Sequence, residues 1–238
     1  MYLKSLVVLG FAAATTNAAI TTHYFDSKVD HFDHLNTDTY KQRYFEDTQY
    51  FNEDEGPVFL YICGEGTCYP SEGLFGQEAQ AHEALQYWVE HRYYGDSQPV
   101  SSFDDAQDYK FLSSEQALED LADFITAKKA ALPKRKSGLD RRWVVVGGSY
   151  PGALSAWFRY KYPHLADISW ASSGVVHAIT NFVEYDHSIY NSTLKGGQDC
   201  VDVFQGLTNW IDEQIRKPDP ATVKKIQQIM FIDNLVDV

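Results

Sequence analysis

The chain has 238 residues, 44% of them hydrophobic and 15% aromatic, and a formal net charge of −13. That length and composition predict a packed core in one sizeable domain, alone or with part of another, and exclude a disordered polymer. The acidic balance leaves no basic surface for nucleic acid or an anionic membrane.

The opening "MYLKSLVVLGFAAATTNAAI" carries Lys4, an apolar run from Leu6 to Ala14 and then small residues. That layout predicts a signal peptide over residues 1–18, cleaved after Thr16–Asn17–Ala18. The run is too short to span a bilayer, and no later apolar stretch is long enough to anchor the chain. A soluble protein of the secretory pathway, extracellular or lysosomal, is expected. In that oxidising route Cys63, Cys68 and Cys200 become candidates for disulfides. Cys63 and Cys68 can close a small loop, or one of them can pair elsewhere; an odd count leaves a thiol over. The triplet "NST" makes Asn191 a glycosylation acceptor.

Residues 21–56 are polar and rich in aromatics, and alternation around Tyr40, Arg43 and Phe45 points to strands that end before Gly56–Pro57. "PVFLYICGEG" is a continuous apolar run closed by glycines, as for a strand buried on both faces, and "LQYWVEHRYYG" is a second that ends in charge. "SSEQALEDLADFITAKKAAL" is the clearest helix, with Leu118, Leu121, Ala122 and Ile125 on one face and a capping box between Ser113 and Gln116. "RWVVVGG" is a third strand, "GALSAWFRYKY" a helix stopped before Pro163, and "ADISWASSGVV" a fourth strand. Strands alternating with helices predict parallel pairing in a three-layer α/β sheet. From Ala178 onward no strand is predicted; "CVDVFQGLTNWIDEQI" and "ATVKKIQQIMFI" are amphipathic helices around a turn at Lys217–Pro218–Asp219–Pro220.

The stretch "VVVGGSYPGALSAWFR" places Ser149 between a buried strand and a helix, the context that a Gly-x-Ser-x-Gly nucleophile elbow requires. Gly147 fits the first glycine, whereas Pro151 stands where the second would be. Proline is tolerated in a helix's first turn, and Gly152 keeps the backbone approach open. A serine so placed needs a base and two oxyanion donors. The amide of Tyr150 supplies one donor, and the glycine-rich strand end at Gly64, Glu65 and Gly66 suits the other. His164, His177 and His187 follow the serine, with Asp167, Asp186 and Asp199 nearby. His177 is the best placed of these, but Asp167 precedes the fourth strand and so lies at its opposite end. In "DHFDH", His31 and His34 have no predicted element to aim them at a metal. No metal and no cofactor are expected.

Five collinear stretches, "VDHF", "EHRYYGDS", "LSSEQALEDLADFI", "GGSYPGALSAWFRYKYP" and "ASSGVV", resemble the secreted serine peptidases that include prolyl carboxypeptidase, dipeptidyl peptidase II and thymus-specific serine protease. Pro151 and "CGEG" look closest to the thymus-specific branch. The resemblance implies an α/β-hydrolase fold over residues 19–177 and a helical cap beginning in residues 178–238. It implies Ser149 as nucleophile, a Ser-Asp-His triad, and hydrolysis at peptide ends, often after proline, with a peptide as partner. Glu90, His91 and Arg92 carry over as a signature beside the site; charged residues near a core are also what a structural ion-pair cluster would provide. The family's acid and histidine lie beyond the cap, on loops of the last strands, and have no counterpart in these 238 residues. An inactive N-terminal portion of a serine exopeptidase is therefore expected. The alternatives are a non-catalytic secreted binding protein and an esterase on the same fold.

Overall fold

The computed structural model describes residues 20–71 and 73–230. The predicted signal peptide and its cleavage site lie outside the described residues. Two compact units are present, one ending at His177 and the other beginning at Ala178.

The first unit holds six strands: β1 (Thr21–Lys28), β2 (Thr39–Asp47), β3 (Val58–Ile62), β4 (Leu85–Val89), β5 (Trp143–Gly148) and β6 (Ile168–Ser172). They form one sheet in the order β1-β2-β4-β3-β5-β6. β1 pairs antiparallel with β2 and β2 with β4, whereas β4, β3, β5 and β6 are mutually parallel. Three helices connect the parallel strands: α1 (Leu74–Ala81), α2 (Ser114–Ala131) and α3 (Tyr150–Lys161).

The apolar runs follow from burial on both faces. Val58, Leu60 and Ile62 of β3, with Leu85, Tyr87, Val89, Trp143 and Val145, pack on Leu118, Leu121, Phe124 and Ile125 of α2 and on Leu154 and Phe158 of α3. The alternate residues Phe59, Trp88, Val144 and Val146 meet Phe75 and Ala79 of α1 on the other face. This is the three-layer α/β-hydrolase arrangement, with α1 on one side and α2 and α3 on the other.

β3 and β5 are neighbours whose outgoing connections lead to helices on opposite faces, α1 and α3, so the carboxyl ends of these two strands form the switch point of the sheet. Ligand sites of open parallel sheets form at such switch points. The loop after β3 and the turn after β5 both open there.

Within the first unit two details differ from the sequence expectation. Ser113 accepts the Gln116 amide at 3.2 Å as predicted, but the Gln116 side chain does not close the capping box. Its oxygen accepts from the His31 amide at 2.9 Å and its nitrogen donates to Asp30 at 2.6 Å. Tertiary partners displaced the local one. Helix α1 was also not anticipated.

The second unit has three helices and no strand among the described residues: α4 (Val183–Leu194), α5 (Gln198–Arg216) and α6 (Pro220–Ile229). The Asp219 side chain caps α6 by accepting from the Thr222 amide at 3.0 Å, with Pro220 in the first turn. No helix among the described residues is long and apolar enough to cross a membrane.

Candidate active site

Ser149 sits between β5 and α3 with φ 60° and ψ −125°. A non-glycine residue in this region is strained and persists only where its surroundings over-determine it. They do so here. The Ser149 amide donates to the Ser172 carbonyl of β6 at 3.0 Å, and the Ser149 carbonyl accepts from Ala153 at 3.1 Å as the helix begins. A Cβ on Gly147 would lie 2.0 Å from the Pro151 carbonyl oxygen, and one on Gly152 would lie 2.6 Å from that of Ser172. Both positions therefore need glycine, and Gly152 provides the close approach that the motif usually assigns one residue earlier. Pro151 is buried in the first turn of α3, where its missing amide costs no helical bond. Ser149 is exposed at the carboxyl end of β5.

The Tyr150 amide is the first of α3 and has no intrahelical acceptor. The loop from Cys63 to Cys68 faces the same elbow: a Cβ on Gly64 would lie 3.0 Å from Cγ of Pro151. A disulfide joins Cys63 to Cys68, and Cys200 is free. Gly66 donates to the Gly64 carbonyl at 2.9 Å, which makes a tight turn of Gly64, Glu65 and Gly66. Glu65 is exposed, and its charge acts on both Tyr150 and His91. An elbow serine flanked by an unpaired helix-start amide and a glycine turn can stabilise a tetrahedral oxyanion.

Glu90, His91 and Arg92 are buried immediately after β4, and each has a separate set of partners. Arg92 uses all five of its N–H donors. Nε and Nη2 bind the two oxygens of Asp120 at 2.7 and 2.8 Å, and the rest reach the carbonyls of Lys28, Val29 and Phe111. Asp120 also accepts from His31 Nε2 at 2.7 Å and from the Tyr40 hydroxyl at 2.9 Å. The Glu90 carboxylate accepts from Arg43 at 2.5 Å, from the Cys68 and Asp96 amides at 3.0 Å each and from the Ser97 hydroxyl at 2.7 Å. His91 Nδ1 lies 2.7 Å from the Arg92 carbonyl and Nε2 lies 2.9 Å from the Tyr150 hydroxyl. A carbonyl can only accept, so Nδ1 carries the proton and Nε2 of the neutral ring accepts from Tyr150. Burial lowers the His91 pKa and favours that neutral form. The Tyr150 hydroxyl is pushed up to about 12 by burial and by the Glu65 charge, so it remains a donor.

The candidate bases are not gathered at Ser149. Among the described residues no side chain hydrogen-bonds to the Ser149 hydroxyl, and His177 is exposed. Asp167 is committed at the opposite end of the sheet, where its carboxylate accepts from the Trp143 amide at 2.9 Å and pairs with Arg142. His31 is bound to Asp120, and His34 is exposed. Asn191 is exposed on α4. Asp120, the centre of the Arg92 network, is not among the site residues that the sequence pattern singles out. An aspartate set among the buried Ala117, Leu118, Leu121 and Phe124 of an amphipathic helix was the available signal, since a buried carboxylate requires a cationic partner.

Residues 27–230 match the model of the family described as serine carboxypeptidase S28. The chain is 42% identical over 182 residues to "Probable serine protease EDA2" of Arabidopsis thaliana, covering 74% of this chain and 36% of that protein. It is 34% identical over 198 residues to lysosomal Pro-X carboxypeptidase of Mus musculus, covering 80% of this chain and 40% of that protein. It is 35% identical over 184 residues to thymus-specific serine protease of Homo sapiens, covering 74% and 35%. The aligned part thus spans between a third and a half of the length of these relatives.

Proposed function

Given that the chain belongs to the serine carboxypeptidase S28 family of serine peptidases, we propose that it carries the nucleophile half of a peptide-end hydrolase, with Ser149 as the nucleophile. The strained elbow carries this reading: Ser149 holds φ 60° at the start of α3, exposed at the switch point of a parallel sheet. In this reading the Ser149 oxygen attacks the scissile carbonyl, and the oxyanion is received by the Tyr150 amide and by the loop at Gly64, Glu65 and Gly66. Within that loop the Gly66 amide is spent on the Gly64 carbonyl and shapes the turn, while the Gly64 and Glu65 amides face the substrate. A histidine must take the serine proton, and an acid must orient that histidine. Neither role is filled by a hydrogen-bonded neighbour of Ser149 among the described residues. We therefore assign both to polypeptide outside these 238 residues, in keeping with relatives more than twice as long as the aligned part. By itself the 238-residue chain is then close to inactive. A peptide substrate cleaved near proline, passage through the secretory pathway and a glycan on Asn191 complete the proposal. The lysosomal relatives and the exposed sequon support the last two.

Substrate comparison tests it. The chain extended through the remaining family segment is expected to release terminal residues or dipeptides from proline-containing peptides with a free end. Turnover of simple esters alone would favour the esterase, and turnover of neither would favour the non-catalytic binding protein.

A further inference from the structure

We propose that Glu90 and His91 are positioning residues for the two halves of the oxyanion hole, Glu90 for the loop at Gly64, Glu65 and Gly66 and His91 for Tyr150. The inference rests on Ser149 being the nucleophile and assigns a role to side chains that never reach the substrate.

The loop is held at both ends by the segment that leaves β4. The Cys63 amide donates to the Val89 carbonyl at 3.0 Å, and the Cys68 amide donates to Glu90 Oε1 at 3.0 Å. The disulfide joins the same two residues. Between these anchors the chain presses Gly64 onto Pro151, the second residue of α3. A shift of Cys68 is therefore passed to the turn beside Ser149.

Charge neutralisation alone would not require this arrangement. Arg43 already supplies Glu90 with a counter-charge at 2.5 Å. The remaining bonds fix where the carboxylate sits: the Ser97 hydroxyl and Asp96 amide take one oxygen, and Cys68 shares the other with Arg43. Gly95 clears the space, since its φ is +54° and a Cβ there would lie 1.9 Å from Glu90 Oε1. The carboxylate is buried and fully bonded, so it holds Cys68 with little freedom.

His91 works on the other side. With Nδ1 donating to the Arg92 carbonyl, Nε2 is left as an acceptor and holds the Tyr150 hydroxyl at 2.9 Å. This fixes the ring of the residue whose own amide is the second oxyanion donor. Adjacent residues on one strand end thus set the spacing between the two donors. Oxyanion stabilisation depends on such fixed placement, because a donor that must reorganise loses its advantage in the transition state.

The test uses the full-length, catalytically competent protein carrying Glu90→Gln, His91→Phe, Tyr150→Phe or the last two together, with Ser149→Ala as a reference. Removing an oxyanion donor outright costs about 10²–10³ in kcat. Displacing one through Glu90→Gln or Tyr150→Phe is expected to cost at least about tenfold in kcat with KM nearly unchanged. Inhibition by a peptidyl aldehyde, whose serine adduct carries the tetrahedral oxygen, should weaken in parallel. The double variant should be no worse than the worse of its two singles, because both remove one contact. Unchanged kcat in folded Glu90→Gln or Tyr150→Phe, or a rise confined to KM, overturns the proposal. Should Glu90→Gln fail to fold, Ser97→Ala, which removes one bond to the Glu90 carboxylate and leaves Cys68 in place, takes over the test of Glu90. A drop in kcat is then expected, and an unchanged kcat overturns that half; Tyr150→Phe, which keeps the ring and the amide, decides for His91. If Ser149→Ala retains activity, the nucleophile assignment fails, an outcome distinct from unchanged kcat in the other variants.

Discussion

Replacing Ser149 with alanine in the catalytically competent, extended protein is expected to lower kcat by about a million-fold, the scale of loss when the nucleophile of a serine hydrolase is removed. The covalent step needs an oxygen whose proton can be taken by a base, and alanine offers none. The elbow would survive, because its geometry is held by the Ser149 amide on Ser172, by the glycines at 147 and 152 and by the first turn of α3. The expected signature is therefore a folded protein that still binds peptide but turns it over only at a residual rate. A loss smaller than tenfold would mean that another group attacks the substrate.

The second large effect is on stability. Asp120→Ala leaves the Arg92 guanidinium buried without its carboxylate and strips His31 and Tyr40 of their acceptor. Removing one partner of a buried pair typically costs about 3–5 kcal/mol. At about 2–4 °C per kcal/mol for a protein of this size, thermal unfolding should move down by roughly 6–20 °C. Arg92→Lys should not be benign either, because three ammonium donors cannot replace five guanidinium donors in a fixed fork. The same site predicts acid sensitivity. Burial opposes ionisation of Asp120, but hydrogen bonds and charge from Arg92 and His31 outweigh it and hold its pKa below the usual aspartate range. A folded pKa below the unfolded one contributes stability that is fully present above about pH 3.9 and is lost as pH falls through the folded value. Wild-type stability should fall steeply in that acid window, and Asp120→Ala should show a shallower slope there. Equal slopes, or an unfolding temperature within about 2 °C of wild type, would show that Arg92 finds other compensation.

The parts of the fold that were legible in sequence are those whose signal is local. β3 and β5 are buried on both faces and so appear as unbroken apolar runs, and β4 is interrupted only by the buried Gln86. α2 carries its buried residues at helical spacing, and the glycines around Ser149 record a steric demand that no other residue meets. Helix α1 escaped because only Phe75 and Ala79 are buried in its eight residues, too few to establish a period. Helix α4 escaped because its aromatic and polar residues are mixed along the sequence, whereas α5 and α6, equally without buried residues, show an apolar stripe at helical spacing. The brace around the site was illegible for a different reason. Glu90 stood out in the sequence as part of a charged run, but Arg43, Cys68 and Ser97 reach it only after β2, β3 and β4 pair. His91 and Tyr150 are 59 residues apart and meet only once β4, β3 and β5 have paired.

A fluorophosphonate probe reads the central claim most directly, because it forms a covalent bond only to a serine oxygen activated by a base, with fluoride as the leaving group. Peptide mapping after exposure should find the adduct on Ser149 in the extended protein, none in its Ser149→Ala variant, and negligible labelling of the 238-residue chain. Rapid labelling of the 238-residue chain at Ser149 would contradict the assignment of the base to other polypeptide, and His177 would be the first residue to replace. Labelling of the extended protein at any residue other than Ser149 would contradict the nucleophile itself.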